Sequence, residues 1–290
     1  MTSPGNQAHH FTVDVEEYFH ATALAQFLPF ERWDEVPRRS PELMRVLLDL
    51  LDARAVKGTF FVLGWLAERE PGMVREIAER GHEIASHGWG HRKVTDLTEE
   101  AFRQDVRRTR HLLRELTDQP ILGYRAPSFS IVPGVEWAMD VLLEEGYRYD
   151  SSTFPVRIHP GYGYPDADPH PHRIQRPSGQ LVEFPPTTLA LGPLRLPAAG
   201  GAYLRFFPLG LIRAGLRSAE RSNQPGTFYV HPWEWDPAPP KVQAPALTRL
   251  RMTGGVRGVR RKLERLLTDL SFRPIRDTLG AMDEAGAPSG

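Results

Sequence analysis

No cysteine occurs among the 290 residues. That absence excludes disulfides, a thiol nucleophile and thiolate metal ligands, so any metal site must be built from histidine and carboxylates. Such a donor set suits a catalytic centre with an open position better than a closed structural one. Net charge is lacking too, with 36 Lys and Arg against 36 Asp and Glu. The balance removes any global electrostatic case for nucleic acid or an anionic membrane as partner. No apolar run approaches the roughly 18 residues of a membrane span. Met1 to Gln7 shows neither the basic nor the apolar region of a secretory signal, so a cytoplasmic protein is expected. With a 40% hydrophobic and 25% charged composition, no internal repeat and no linker-like boundary, one soluble domain over residues 1–290 is expected.

Periodicity supplies the fold class. Phe11–Val15, Gly58–Val62, His82–Ser86, Ile121–Tyr124, Arg148–Asp150 and Thr227–Val230 read as strands. Between them lie helical patterns. Ser40 reads as an N-cap, followed by an apolar stripe of Leu43, Val46, Leu47 and Leu50. Further helices are expected from Pro71 to Arg80, after Thr98, from Val135 to Glu145 and from Leu209 to Arg221. Alternating strand and helix implies parallel βα units. Pro155–Gly201 is a long Pro/Gly-rich insertion in which only Leu181–Phe184 looks like a strand. Val259, Leu263, Leu266, Leu267 and Leu270 mark a closing amphipathic helix, with Arg257, Arg260, Arg261 and Lys262 on its solvated face.

The chemistry-bearing residues fall just after strands. Asp14 and Glu16 follow the first, His87 and His91 the third, Arg125 the fourth, Asp150 the next and His231 the last. In a (β/α) barrel these positions form the C-terminal rim, where residues distant in sequence meet. His87 and His91 are four apart, but Gly88 and Gly90 argue against a helix, so a Gly-rich loop anchored by Trp89 is expected to aim them. On spacing alone they are equally a ligand pair and two incidental loop histidines. Two imidazoles and a carboxylate make a three-ligand divalent site. A second carboxylate can serve as base, a histidine on the opposite side as acid, and an arginine can pair with and orient the base. Together these are the tools of amide hydrolysis.

These motifs resemble the polysaccharide deacetylase family, also called the NodB-homology or carbohydrate esterase 4 family. The matching stretches are Val13-Asp14-Val15-Glu16, His87-Gly88-Trp89-Gly90-His91, Arg125-Ala126-Pro127 and Val230-His231-Pro232. Asp14-Val15-Glu16-Glu17-Tyr18-Phe19, Tyr149-Asp150-Ser151-Ser152, Glu183-Phe184-Pro185, Gly200 to Arg205 and His231-Pro232-Trp233-Glu234 resemble the branch found beside exosortase (PEP-CTERM) exopolysaccharide loci. The resemblance implies an α/β fold, a single-domain distorted (β/α) barrel with its core over 11–235 and a C-terminal extension over 236–290 packed on it. It implies Asp14 as general base, His231 as general acid, Arg125 orienting Asp14, Asp150 tuning His231, and Glu16, His87 and His91 as metal ligands. The cofactor implied is a divalent ion, zinc first, with cobalt, nickel or manganese also compatible with such ligands.

Two positions depart from the family pattern. Glu16 stands where a second Asp is usual, with Glu17 a substitute ligand, and Gly88 replaces Ser or Thr, implying a more flexible metal loop. The expected function is metal-dependent deacetylation of an N-acetylated polysaccharide or oligosaccharide during exopolysaccharide biosynthesis. An allantoinase-like cyclic amidase, suggested by Glu16, and a non-catalytic glycan-binding protein stand as alternatives. His170 and His172 read as incidental, while Tyr162 and Tyr164 either meet sugar faces or pack within the loop.

Overall fold

The structure is a computed structural model describing residues 7–157, 162–192 and 194–286. Of the stretch read for a secretory signal, only Gln7 lies within the described residues.

In chain order the strands are β1 His9–Val15, β2 Thr59–Val62, β3 Glu83–Ser86, β4 Gly123–Tyr124, β5 Tyr149–Asp150, β6 His172–Arg176, β7 Gly179–Glu183, β8 Thr188–Leu191, β9 Leu194–Pro197, β10 Thr227–Val230 and β11 Phe272–Arg273. The helices are α1 Ser40–Asp52, α2 Gly64–Arg69, α3 Pro71–Glu79, α4 Glu99–Thr117, α5 Trp137–Glu144, α6 Ala202–Phe206, α7 Leu209–Arg221, α8 Ala246–Thr253, α9 Val259–Asp269 and α10 Ile275–Gly286. The main sheet runs β10-β1-β2-β3-β4-β5-β7-β6, parallel throughout except for the final β6–β7 hairpin. After β7 the chain returns to β10 through parallel bridges at Pro186–Thr227 and Gly200–Tyr229. Those bridges close the sheet into the expected distorted barrel.

Strand alternation explains the layering. Phe11, Val13 and Val15 join Phe60, Val62 and Ile84 in the larger core beneath the helices. The intervening residues point the other way. There Phe61, Ala85, Tyr149 and Phe184 cluster with Ile275 and Leu279 of α10. Glu83 and the Thr59 hydroxyl accept the backbone N–H groups of Arg276 and Ile275, fixing the N-terminus of that helix.

Register then places the site. Val15, Val62, Ser86, Tyr124, Asp150 and Glu183 pair across neighbouring strands as one row. One residue beyond that row come Glu16, His87 and Arg125. Val13 pairs with Val230, so His231 arrives level with Asp14.

Several local expectations are corrected. Ser40 is the first residue of α1 rather than its cap, and the buried stripe is Leu43, Met44, Leu47, Leu48 and Leu51, with Val46 exposed. The Pro/Gly-rich insertion holds β6 and two further strands, the hairpin β8–β9. The amphipathic helix α9 does not close the chain, because β11 pairs with β1 and α10 follows. Lys262 is not solvated: its ammonium donates to the carbonyls of Leu204, Arg205 and Phe207 at the end of α6.

Candidate metal centre and catalytic cleft

The loop after β3 curls back as expected, with left-handed backbone at Gly88 (φ +72°) and His91 (φ +52°). Trp89 fixes it. Its carbonyl accepts Trp65 N–H, its ring lies against Gly64, where a Cβ would come within 2.4 Å of it, and the Arg108 guanidinium covers its face. The expected loss of bracing at Gly88 does not occur. Asp105 of α4 accepts the Trp89 N–H at 2.9 Å, and a Cβ on Gly88 would lie 2.8 Å from that same oxygen. Glycine is therefore favoured here by φ and by the carboxylate that holds the loop. Burial pushes the Asp105 carboxyl up to about 6, against the lowering effect of that hydrogen bond.

One ligand atom from each of Glu16, His87 and His91 lies within 4.8 Å of the others. His87 Nδ1 is 2.8 Å from the Arg125 carbonyl, which can only accept, so Nδ1 carries the proton and Nε2 keeps its lone pair. Burial holds His87 down to about 4, favouring the neutral, ligating form. Burial works to raise the Glu16 carboxyl, but His91, His231 and His87 outweigh it and keep it below the ordinary carboxylate range. Glu16 Oε2 sits 2.9 Å from His91 Nε2, yet it is a buried oxygen without a hydrogen-bond donor. A buried orphaned carboxylate oxygen beside an imidazole nitrogen fits a divalent cation.

Glu17, the substitute ligand, is spent elsewhere. Its carboxylate accepts the N–H groups of Arg39 and Ser40 and the Ser40 hydroxyl, capping α1 from outside the helix.

Asp14 lies beside the triad with its Oδ1 2.6 Å from Arg125 Nη1. Arg125 is fully buried and held on every side. Nη1 also donates to Thr12 Oγ1, Nη2 and Nε donate to the hydroxyl and carbonyl of Ser151, and the guanidinium covers the Phe61 ring. Such a clamp fixes the Asp14 carboxylate in one orientation.

His231 faces the triad from β10, its Nε2 3.4 Å from Glu16 and 3.8 Å from Asp14. Its other ring nitrogen is 3.4 Å from Glu234, and Trp233 stacks on its ring. Burial opposes the charged form, but Glu234 above all, then Glu16 and Asp14, push His231 up to about 9. Glu234 is itself buried and paired with buried Arg205 of α6.

Asp150 does not reach His231. It accepts the Ser152 hydroxyl and faces Glu183, and burial raises both carboxyls, which favours a proton held between them beneath the rim. The carboxylate beside the candidate acid is Glu234 instead. Sequence reading passed over Glu234, Arg205 and Asp105. For Glu234 the signal was available, three residues past His231 in the quoted His-Pro-Trp-Glu stretch.

Asp14, Glu16, His87, His91 and His231 open together onto a cleft of about 630 Å³. Phe129, Tyr162, Tyr203, Phe206 and Trp233 form its apolar wall. Tyr162 lies here, its hydroxyl 2.6 Å from that of Tyr203, whereas Tyr164 hydrogen-bonds Glu136. His170 and His172 lie apart from the ligand triad.

Residues 32–141 match the family described as polysaccharide deacetylase, and residues 151–280 match a domain of unknown function, DUF3473. A Bacillus cereus peptidoglycan-N-acetylglucosamine deacetylase is 29% identical over 119 residues, 37% of this chain and 43% of its own length. A chitooligosaccharide deacetylase of Rhizobium leguminosarum bv. trifolii is 34% identical over 70 residues, 24% of this chain and 33% of its own. The chain thus spans less than half the length of these curated relatives. A Mycobacterium smegmatis structure described as a polysaccharide deacetylase superposes with a TM-score of 0.66 at 21% identity, covering 98% of this chain and 93% of that one. Puue allantoinase gives 0.62 at 17% identity, covering 99% and 96%. At those identities both likenesses show the α/β barrel and nothing finer.

Proposed function

We propose, from a family match and relatives that support the polysaccharide deacetylase (NodB, carbohydrate esterase 4) family, that this chain is a hydrolase removing the acetyl group from an N-acetylated glycan. The observation that carries the reading is the meeting, on one rim, of three ligand atoms with a clamped carboxylate and a carboxylate-backed histidine. Glu16, His87 and His91 would hold a divalent ion. Bound there, the ion supplies Lewis-acid polarisation of the acetyl carbonyl and activation of water. Asp14, fixed by Arg125, takes the proton from the attacking water. His231, charged through Glu234, gives a proton to the departing amine nitrogen, so acetate and a free amine leave. The aromatic wall offers flat faces to the sugar. The exopolysaccharide setting rests on the motif resemblance, and action on a precursor or nascent glycan in the cytoplasm, before export of the polymer, is part of the same proposal. No helix among the described residues is long and apolar enough to cross a membrane.

The test is acetate release from N-acetylated oligosaccharides by chelated and metal-reconstituted protein. Restoration by zinc, cobalt, nickel or manganese is expected, with Asp14→Asn and His231→Ala each losing on the order of 10²–10⁴-fold. Asp14→Asn retaining most activity would overturn the assignment of the base.

Glu16 in place of the usual Asp favours a second reading, hydrolysis of a small cyclic amide with little metal dependence. Stoichiometric divalent metal in the purified protein, lost in Glu16→Ala, decides against it.

A further inference from the structure

Apart from the histidines, the charged side chains lining the cleft are Asp14, Glu16, Lys93 and Arg251. The two acids are already assigned, Asp14 to the Arg125 clamp and Glu16 to the ligand triad. Lys93 and Arg251 have no hydrogen-bond or ion-pair partner on their side chains among the described residues. That contrasts with the cations nearby. Arg125 makes four hydrogen bonds to Thr12, Asp14 and Ser151, Arg205 donates to Glu234 and to two carbonyls, and Lys262 donates to three.

The two unpartnered cations reach the cleft from separate elements. Lys93 lies two residues past His91 on the metal-loop segment and is half-buried, so part of its hydration is already lost. Arg251 comes from α8, a helix with no buried residue, on the side of the cleft where Phe206 is exposed. Among the described residues no acid answers either one. In a recess with apolar walls, two such charges concentrate anions and present donors matched to carboxylate or phosphate oxygens.

We propose that Lys93 and Arg251 form an anion subsite, and that the preferred substrate is an N-acetylated glycan bearing an acidic group, a carboxylate or a phosphate ester, near the acetamido sugar. The inference rests on the deacetylase reading and narrows its substrate class. The N-acetyl group meets the metal triad while the acidic substituent takes the two cations, which fixes the register of the glycan in the cleft.

Three oligosaccharides of equal length test it: a neutral N-acetylglucosamine oligomer, one with an adjacent uronate and one with an adjacent phosphate ester. The expected result is a kcat/KM ratio of acidic over neutral substrate of about tenfold or more at low salt, shrinking as ionic strength rises. Lys93→Gln and Arg251→Gln should each lower that ratio about fivefold, mainly through KM, and Lys93→Arg should restore it. The arm showing the larger ratio identifies the acidic group. Equal kcat/KM for all three, or a ratio unchanged in both Gln variants, overturns the subsite. If no oligosaccharide yields acetate under any divalent metal, the deacetylase reading fails by itself. Equilibrium binding of the same three compounds then decides the subsite: tighter acidic binding lost in the Gln variants upholds it, and equal binding overturns it.

Discussion

Glu234 holds His231 from two directions: Oε2 accepts the histidine's own backbone N–H at 3.1 Å and lies 3.4 Å from its ring Nδ1. The other oxygen of Glu234 meets Arg205, which also donates to the carbonyls of Met252 and Gly254. The candidate acid is therefore tied through one buried ion pair to the C-terminal end of α8. Here the carboxylate beside the candidate acid is Glu234, three residues downstream, and not the Asp150 to which the resemblance assigned that place.

Glu234→Gln keeps the size and hydrogen-bonding reach of the side chain but removes its charge. The largest influence raising His231 would then vanish, and the alkaline limb of the pH–rate profile should move toward acid by about one unit, lowering kcat about twofold at pH 8 and roughly tenfold at pH 10. Stability of the metal-free protein should respond in the same sense. A histidine raised to about 9 stabilises the fold fully below its unfolded value near 6.5, and that contribution is lost as pH climbs through 9. Thermal unfolding of chelated protein between pH 6 and 10 should therefore show a smaller loss in Glu234→Gln than in wild type. An alkaline limb that stays in place removes Glu234 from the proton chemistry.

Glu16 and Glu17 are adjacent carboxylates with separate duties, and substitution should separate them. Glu16→Ala should abolish stoichiometric divalent-ion binding while leaving α1 intact. Glu17→Ala strips the cap from Arg39 and Ser40 and should cost about 1–3 kcal/mol of stability, with metal binding retained. Calorimetric metal titration beside urea unfolding reads both effects. Metal loss in Glu17→Ala at full stability would contradict the division.

Why were the rim residues legible when their supports were not? Asp14, His87, Arg125 and His231 sit at the ends of short β-branched or apolar runs, and register alone carries such positions to one rim. The supports depend on tertiary approach. Asp105 is one acid among many on a polar helix, and only the folding of α4 against the metal loop sets it beneath Trp89. The strand β6, His-Arg-Ile-Gln-Arg, hides because it is a half-exposed edge whose polar residues mask the alternation. Helix α8 buries nothing, so it leaves no apolar stripe. The flexible loop that glycine at 88 implies is not found, because a sequence does not disclose a carboxylate occupying the space where a side chain would go.

That close approach gives a sharp test at the metal loop. Gly88→Ser supplies the hydroxyl usual in the family, yet it should weaken metal binding, since φ +72° and the contact with Asp105 both oppose a Cβ. Asp105→Ala frees the Trp89 N–H and should lower metal affinity about 10- to 100-fold through loosening of the ligand loop. Metal titration of both variants checks this. Gly88→Ser binding as tightly as wild type would show that Asp105 does not constrain the loop.

Beneath the rim, Asp150 and Glu183 give the fold a pH dependence of their own. Burial raises both carboxyls, Asp150 to about 6, so the folded protein holds their shared proton more tightly than the unfolded chain does. The resulting stabilisation is complete below the unfolded carboxylate range near 4 and is lost as pH rises through 6 and beyond. Asp150→Asn replaces the shared proton with a permanent amide donor: its carbonyl can still accept the Ser152 hydroxyl while its amide donates to an ionised Glu183. The variant should match wild type at pH 5 and exceed its unfolding midpoint at pH 8, narrowing the difference between the two conditions. Urea unfolding at both pH values measures that difference, and an equal pH dependence in variant and wild type would mean that the two carboxyls do not share a proton in the folded state.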